Sequence, residues 1–140
     1  MKKKALAAVI LLAAAAAVLC LVLVRPGSAP AGVKILVDGE ELTGTAAAEI
    51  RDDLRVILTL DGEEIASFPF REPHRIRILQ DNGYENNLVL TGESVYMESA
   101  NCEGQDCVHM EEVTRENMET RVMFGMIICL PHRLSVEVRD

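Results

Sequence analysis

The chain has no tryptophan, three phenylalanines and two tyrosines among 140 residues. A core built from it must therefore rest on isoleucine, leucine, valine and methionine. Lysine is nearly absent as well: apart from Lys2, Lys3 and Lys4 at the start, there is only Lys34. All 22 acidic residues lie after residue 32, against Lys34 and nine arginines, so that part carries 10 − 22 = −12 with histidines neutral. A protein that neutralises phosphates needs a basic face, and this composition excludes nucleic acid as an expected partner. The chain also lacks a G-x-G-x-x-G run, a Walker loop, a Ser-His-Asp order and a convincing carboxylate pair. An enzyme is not expected, and neither is a cofactor.

What is present begins with an address. "MKKK" leads into twenty consecutive apolar residues, Ala5 to Val24, followed by Arg25. As a helix rising 1.5 Å per residue, that run reaches roughly 30 Å, the thickness of a bilayer's hydrocarbon core. A cleavable signal peptide has a shorter apolar stretch of about 7–15 residues. Ala29-Pro30-Ala31 nevertheless resembles a small-residue cleavage site. Lipidation of Cys20 is disfavoured, because Leu19 precedes it and the apolar run continues beyond it. The preferred reading is an uncleaved anchor over residues 1–25, with residues 5–24 in the membrane and the lysines cytoplasmic. The C-terminal part then lies outside the cytoplasm. Residues 26–32, rich in Pro, Gly and small side chains, form a linker.

From Val33 onward the pattern is that of strands. "VKILV" (33–37) meets Asp38-Gly39, and "LRVILTL" (54–60) meets Asp61-Gly62 before "EEIASFPF". Asp-Gly between apolar, β-branched runs predicts hairpins, because both turn positions require positive φ. "HRIRIL" (74–79) alternates charged and apolar residues, as a half-buried strand does. "DNGY" predicts a turn, "NNLVL" and "SVYMES" a hairpin about Thr91-Gly92, and "MIICL" with "RLSVEV" a last pair about Pro131. Residues 46–53 and 111–121 are the helix-tolerant stretches, and in the second Thr114 is placed to cap a short turn. The expected class is all-β, a small barrel or sandwich preceded by one transmembrane helix. Residues 33–53 make an additional N-terminal hairpin segment and residues 54–140 the main β-domain.

Three cysteines fall in that domain: Cys102, Cys107 and Cys129. In an oxidising compartment the first expectation is one disulfide with one cysteine left over, and any of the three pairings is open. Cys107–Cys129 closes the longer loop across residues 111–121 and is slightly preferred. A metal reading draws on the spacing C-x4-C-x-H and C-x2-H, which offers Cys102, Cys107, His109, Cys129 and His132 as ligands. A redox reading uses the three thiols. It is opposed by Glu103, Asp106, Glu111 and Glu112, whose charges disfavour a thiolate, with His109 and His132 the only mitigating groups. His74 reads as a strand or turn residue.

"LTLDGEEIASFPF", "NGY", "VYMESANCEGQDCVHM" and "MIICLPHRLSVEV", in that order, carry a resemblance to bacterial NusG domain II-containing proteins. It runs from Leu54 to Val138, with the Cys…Cys-Val…Cys-Leu-Pro combination its most specific part. The resemblance implies a compact β-barrel-like fold on an anchored or exported protein. It implies no molecular role, since an extracytoplasmic domain cannot reach transcription machinery. The expected function is a non-enzymatic binding or accessory module, partnered by an envelope or membrane protein. The alternative is a thiol/disulfide redox or electron-transfer accessory.

Overall fold

The computed structural model describes residues 30–43 and 54–140. Residues 5–24 and the helix-tolerant stretch at 46–53 lie outside the described residues. Among those described, no helix is long and apolar enough to cross a membrane.

The strands are β1 (Val33–Val37), β2 (Glu40–Glu41), β3 (Arg55–Leu60), β4 (Glu63–Pro69), β5 (His74–Gln80), β6 (Glu85–Leu90), β7 (Ser94–Ala100), β8 (Val113–Thr114), β9 (Met126–Cys129) and β10 (Leu134–Arg139). One helical turn, α1 (Asp106–His109), follows β7. Both Asp-Gly turns form as expected. Asp38 and Gly39 have φ of 52° and 91°, and Asp61 and Gly62 have 53° and 85°. Positive φ at both central residues matches the turn to the right-handed twist of its strands.

The strands form two antiparallel sheets, β2-β1-β5-β6-β7-β8 and β4-β3-β10-β9. Neither closes on itself among the described residues, so of the two expected forms the sandwich stands and the barrel does not. The six-stranded sheet tapers at both edges into two-residue strands, β2 and β8, too short to complete a closed ladder.

Alternation along the strands builds one shared core. In β10, Leu134, Val136 and Val138 are buried while Ser135 and Glu137 are only partly covered. Their counterparts in the other sheet are Ile76, Ile78, Leu88, Leu90, Val95 and Met97. Phe68 and Phe70 are both buried, so two of the three phenylalanines serve the core. Arg75 and Arg77 of β5 face outward and pair with Glu98 and Glu85. The first hairpin is tied into the fold by Asp38. Its carboxylate accepts the Arg75 backbone N–H at 2.9 Å and meets His74 Nδ1 at 2.8 Å.

Residues 111–121 hold no helix. They contain β8 and then a series of turns. Thr114 does cap the first turn: Asn117 N–H donates to Thr114 Oγ1 at 3.2 Å, and Thr114 N–H donates to Asn117 Oδ1 at 2.8 Å. This reciprocal arrangement is that of a capping box, with asparagine in the return position.

Candidate functional site: a corner of three thiols

Three elements converge at one end of the sandwich. Cys102 follows β7, Cys107 lies on α1 and Cys129 ends β9. Their side chains meet, with the three sulfur atoms all within 4.8 Å of one another. Cys102 and Cys107 form a close pair, Sγ to Sγ 3.7 Å. All three residues are buried, Cys107 and Cys129 almost completely. In this structure all three are free thiols.

The loop from β7 to α1 is shaped by two side chains. Asn101 Oδ1 accepts the Glu85 backbone N–H at 2.8 Å, and its Nδ2 donates to Gly83 O at 2.9 Å. That fastens the end of β7 to the β5–β6 turn. Gln105 takes the left-handed conformation at φ 56° and turns its amide inward. Its Nε2 donates to the carbonyls of Ala100 (2.7 Å) and Cys102 (2.5 Å). Carbonyls that the ended strand would leave orphaned are thereby satisfied. The Gln105 carbonyl also accepts from Val108 N and His109 N, which starts α1 and points Cys107 into the core.

An apolar cleft of about 170 Å³ opens beside the sulfurs, walled by Met110, Met123, Leu130 and Pro131 among others. The Met110 thioether accepts the Ile128 backbone N–H at 3.4 Å. At the cleft's rim the apolar side chains are unusually open. Met123 and Leu130, which line the cleft, are 38% and 79% exposed, and Val122 and Phe124, the chain neighbours of Met123, are 95% and 66% exposed. Phe124 also holds φ of 51°, a conformation that a bulky side chain seldom adopts.

Burial pushes the Cys107 thiol well above its ordinary range, and hydrogen bonding to Cys129 and Cys102 adds to the shift. A low dielectric penalises the thiolate, and sulfur neighbours offer little compensation. Desolvation thus outranks the acidic residues that the sequence points to.

Neither histidine from the sequence motif joins the sulfurs. His109 ends α1 and faces solvent. His132 is buried, and its Nδ1 is engaged by Asn86 Oδ1 at 2.7 Å. The metal-ligand geometry among the described residues comprises the three cysteines alone. Sequence reading missed the cleft, for which the linear signal is the apolar run Val122-Met123-Phe124, with Met123 in the cleft wall.

A small open two-sheet β-domain with a buried three-cysteine corner is thus the class of protein defined here. The chain belongs to the NusG domain II family, whose model matches residues 6–140 and so includes the β1–β2 hairpin. Two solved structures agree on the fold. A DUF1312 family protein of Enterococcus faecalis V583 is 20% identical with a TM-score of 0.54, over 62% of this chain and 97% of its own. The Lin0431 protein of Listeria innocua is 22% identical with a TM-score of 0.53, over 64% and 98%. A DUF1312 family protein of Ruminococcus gnavus ATCC 29149 is 29% identical, over 62% and 99%, with a TM-score of 0.49. No curated protein matches this chain.

Proposed function

We propose that the protein is a membrane-anchored, non-enzymatic accessory module that binds an envelope or membrane protein through the apolar rim of the cysteine corner. The observation that carries this reading is the exposed apolar run Val122-Met123-Phe124 together with Leu130, of which Met123 and Leu130 line the cleft. Large apolar side chains gathered at one place on a domain of this charge mark an interaction surface. Aromatic side chains are among those that supply most of the binding energy of an interface, and Phe124 adjoins the cleft-lining Met123 in the chain. The apolar run of residues 5–24 supports the anchor, and the lysines before it support an outward-facing domain.

A photocrosslinking residue replacing Phe124 in the full chain, in native membranes, is expected to trap one discrete protein adduct. The same residue at Glu63, on an edge strand of the four-stranded sheet, serves as the control. Equal adduct patterns at the two positions would overturn the reading. Reporter tags at residue 1 and residue 140 test the orientation: only the second should be open to protease added outside intact cells.

A thiol redox accessory is the second reading, favoured by one observation. With all sulfurs within 4.8 Å, a disulfide between any two leaves the third beside it as an attacking group. The raised Cys107 pKa counts against fast exchange. Thiol trapping across a range of redox poise separates the two, since cysteines held in one state throughout would exclude the redox role.

A further inference from the structure

We propose that Cys102, Cys107 and Cys129 form a three-thiolate binding site for a thiophilic d10 metal ion, of the zinc(II) or copper(I) class. The argument rests on the spacing of the sulfurs. A disulfide needs them about 2.05 Å apart. Ligands sharing one ion at a metal–sulfur distance of about 2.3 Å stand roughly 3.8 Å apart in a tetrahedral arrangement and 4.0 Å in a trigonal one. The 3.7 Å between Cys102 and Cys107 falls at the metal spacing and far from the covalent one. Cys129 completes the set within 4.8 Å, so about an ångström of closure brings all three to a common ion.

The donor set narrows the ion. All three ligands are sulfur, and thioethers of Met110 and Met123 line the adjoining cleft. Neither imidazole nor carboxylate belongs to the cluster. Soft donors of this kind select zinc(II) and copper(I) over magnesium, calcium and manganese. The ligands come from the end of β9, the helical turn α1 and the loop that joins β7 to α1, so binding would clamp β7, α1 and β9 together. The cleft provides the entry path and leaves one side of the ion open to a further ligand.

Loading is an exchange of protons for metal: the ion displaces three thiol protons and three metal–sulfur bonds form, with no change of oxidation state. Affinity should therefore fall as pH falls.

The test uses the full chain, purified in detergent, reduced and kept free of oxygen. Zinc(II) is titrated against a chromophoric chelator in one arm, and copper(I) against bicinchoninate in the other. The expected result is one ion per chain in at least one arm, with all three cysteines protected from alkylation. Loss of outer-shell groups alone weakens metal sites about 10–100-fold, so Cys102→Ser, Cys107→Ser and Cys129→Ser should each weaken binding by about 100-fold or more. His109→Ala should leave affinity within about twofold, because His109 lies outside the cluster. Protection of the unmutated chain against alkylation keeps the test decisive if a serine variant fails to fold. The proposal is overturned if neither ion binds stoichiometrically or if binding survives Cys129→Ser. Native chain isolated with two of the three cysteines joined in a disulfide would overturn it too.

Discussion

The imidazole of His132 is pinned to a side chain 46 residues away: its Nδ1 donates to Asn86 Oδ1 at 2.7 Å. Tyr84 stacks on the ring at a centroid distance of 4.3 Å, and the other ring nitrogen, Nε2, is buried with no hydrogen-bond partner among the described residues. Burial lowers the His132 pKa from its ordinary 6.5, because desolvation penalises the charged ring.

That arrangement gives a signed pH dependence. Below about pH 6.5 the unfolded chain protonates this histidine while the folded chain does not, so stability falls as pH falls. Melting temperature should drop between pH 7.5 and pH 5.5. The window lies above the range of Asp38 and Glu85, whose carboxylates are held below their ordinary 3.8 and 4.5. His132→Gln should flatten the slope, even if it melts lower at pH 7.5. An unchanged slope would show that the histidine is solvated.

Gly125 packs directly against the backbone at the end of β10. A Cβ there would lie 2.5 Å from Val138 O, and Val138 N–H donates to Gly125 O at 2.8 Å. Gly125→Ala must displace the end of β10 or break that bond. A loss of about 1–3 kcal/mol is expected, measured by urea denaturation.

Core and surface should separate cleanly. Leu58 is fully buried at the centre of β3, and Leu58→Ala should cost about 2–5 kcal/mol through lost contacts and the cavity left. Arg75 makes two 2.8 Å hydrogen bonds to Glu98 but lies in solvent. Arg75→Ala should leave the urea midpoint close to that of the unmutated chain, because water screens an exposed pair. Comparable losses in the two variants would contradict the packing described.

Gln105 is expected to gate access to the sulfurs. Gln105→Ala removes the amide that satisfies the Ala100 and Cys102 carbonyls. The β7–α1 loop should loosen, and Cys102 should react with iodoacetamide several-fold faster than in the unmutated chain. Cys107, deeper and with a raised pKa, should remain the slower of the two. Peptide mapping after a short alkylation pulse reads both rates.

The expected strands of the described residues are present because their signals are local. Period-two alternation in "HRIRIL" reports which face is wet, and Asp-Gly supplies a turn conformation whatever it connects. The segment 111–121 was harder to read, since glutamate and methionine tolerate a helix but its backbone instead adds β8 beside β7. Tertiary pairing overrides weak propensity there.

The cysteine corner divides the same way. Composition and spacing were enough to identify the three thiols, the acidic domain and the apolar N-terminal run, because charge and hydropathy are properties of residues. Which groups meet depends on non-local packing. Cys107 and Cys129 are 22 positions apart in the chain, yet both side chains reach one buried point where α1 packs between β7 and β9. His132, the same distance in sequence from Cys129 as any C-x2-H ligand, is drawn instead to Asn86 by the turn between β9 and β10. Only the folded sheets could separate a histidine that serves the core from the sulfurs that share a site.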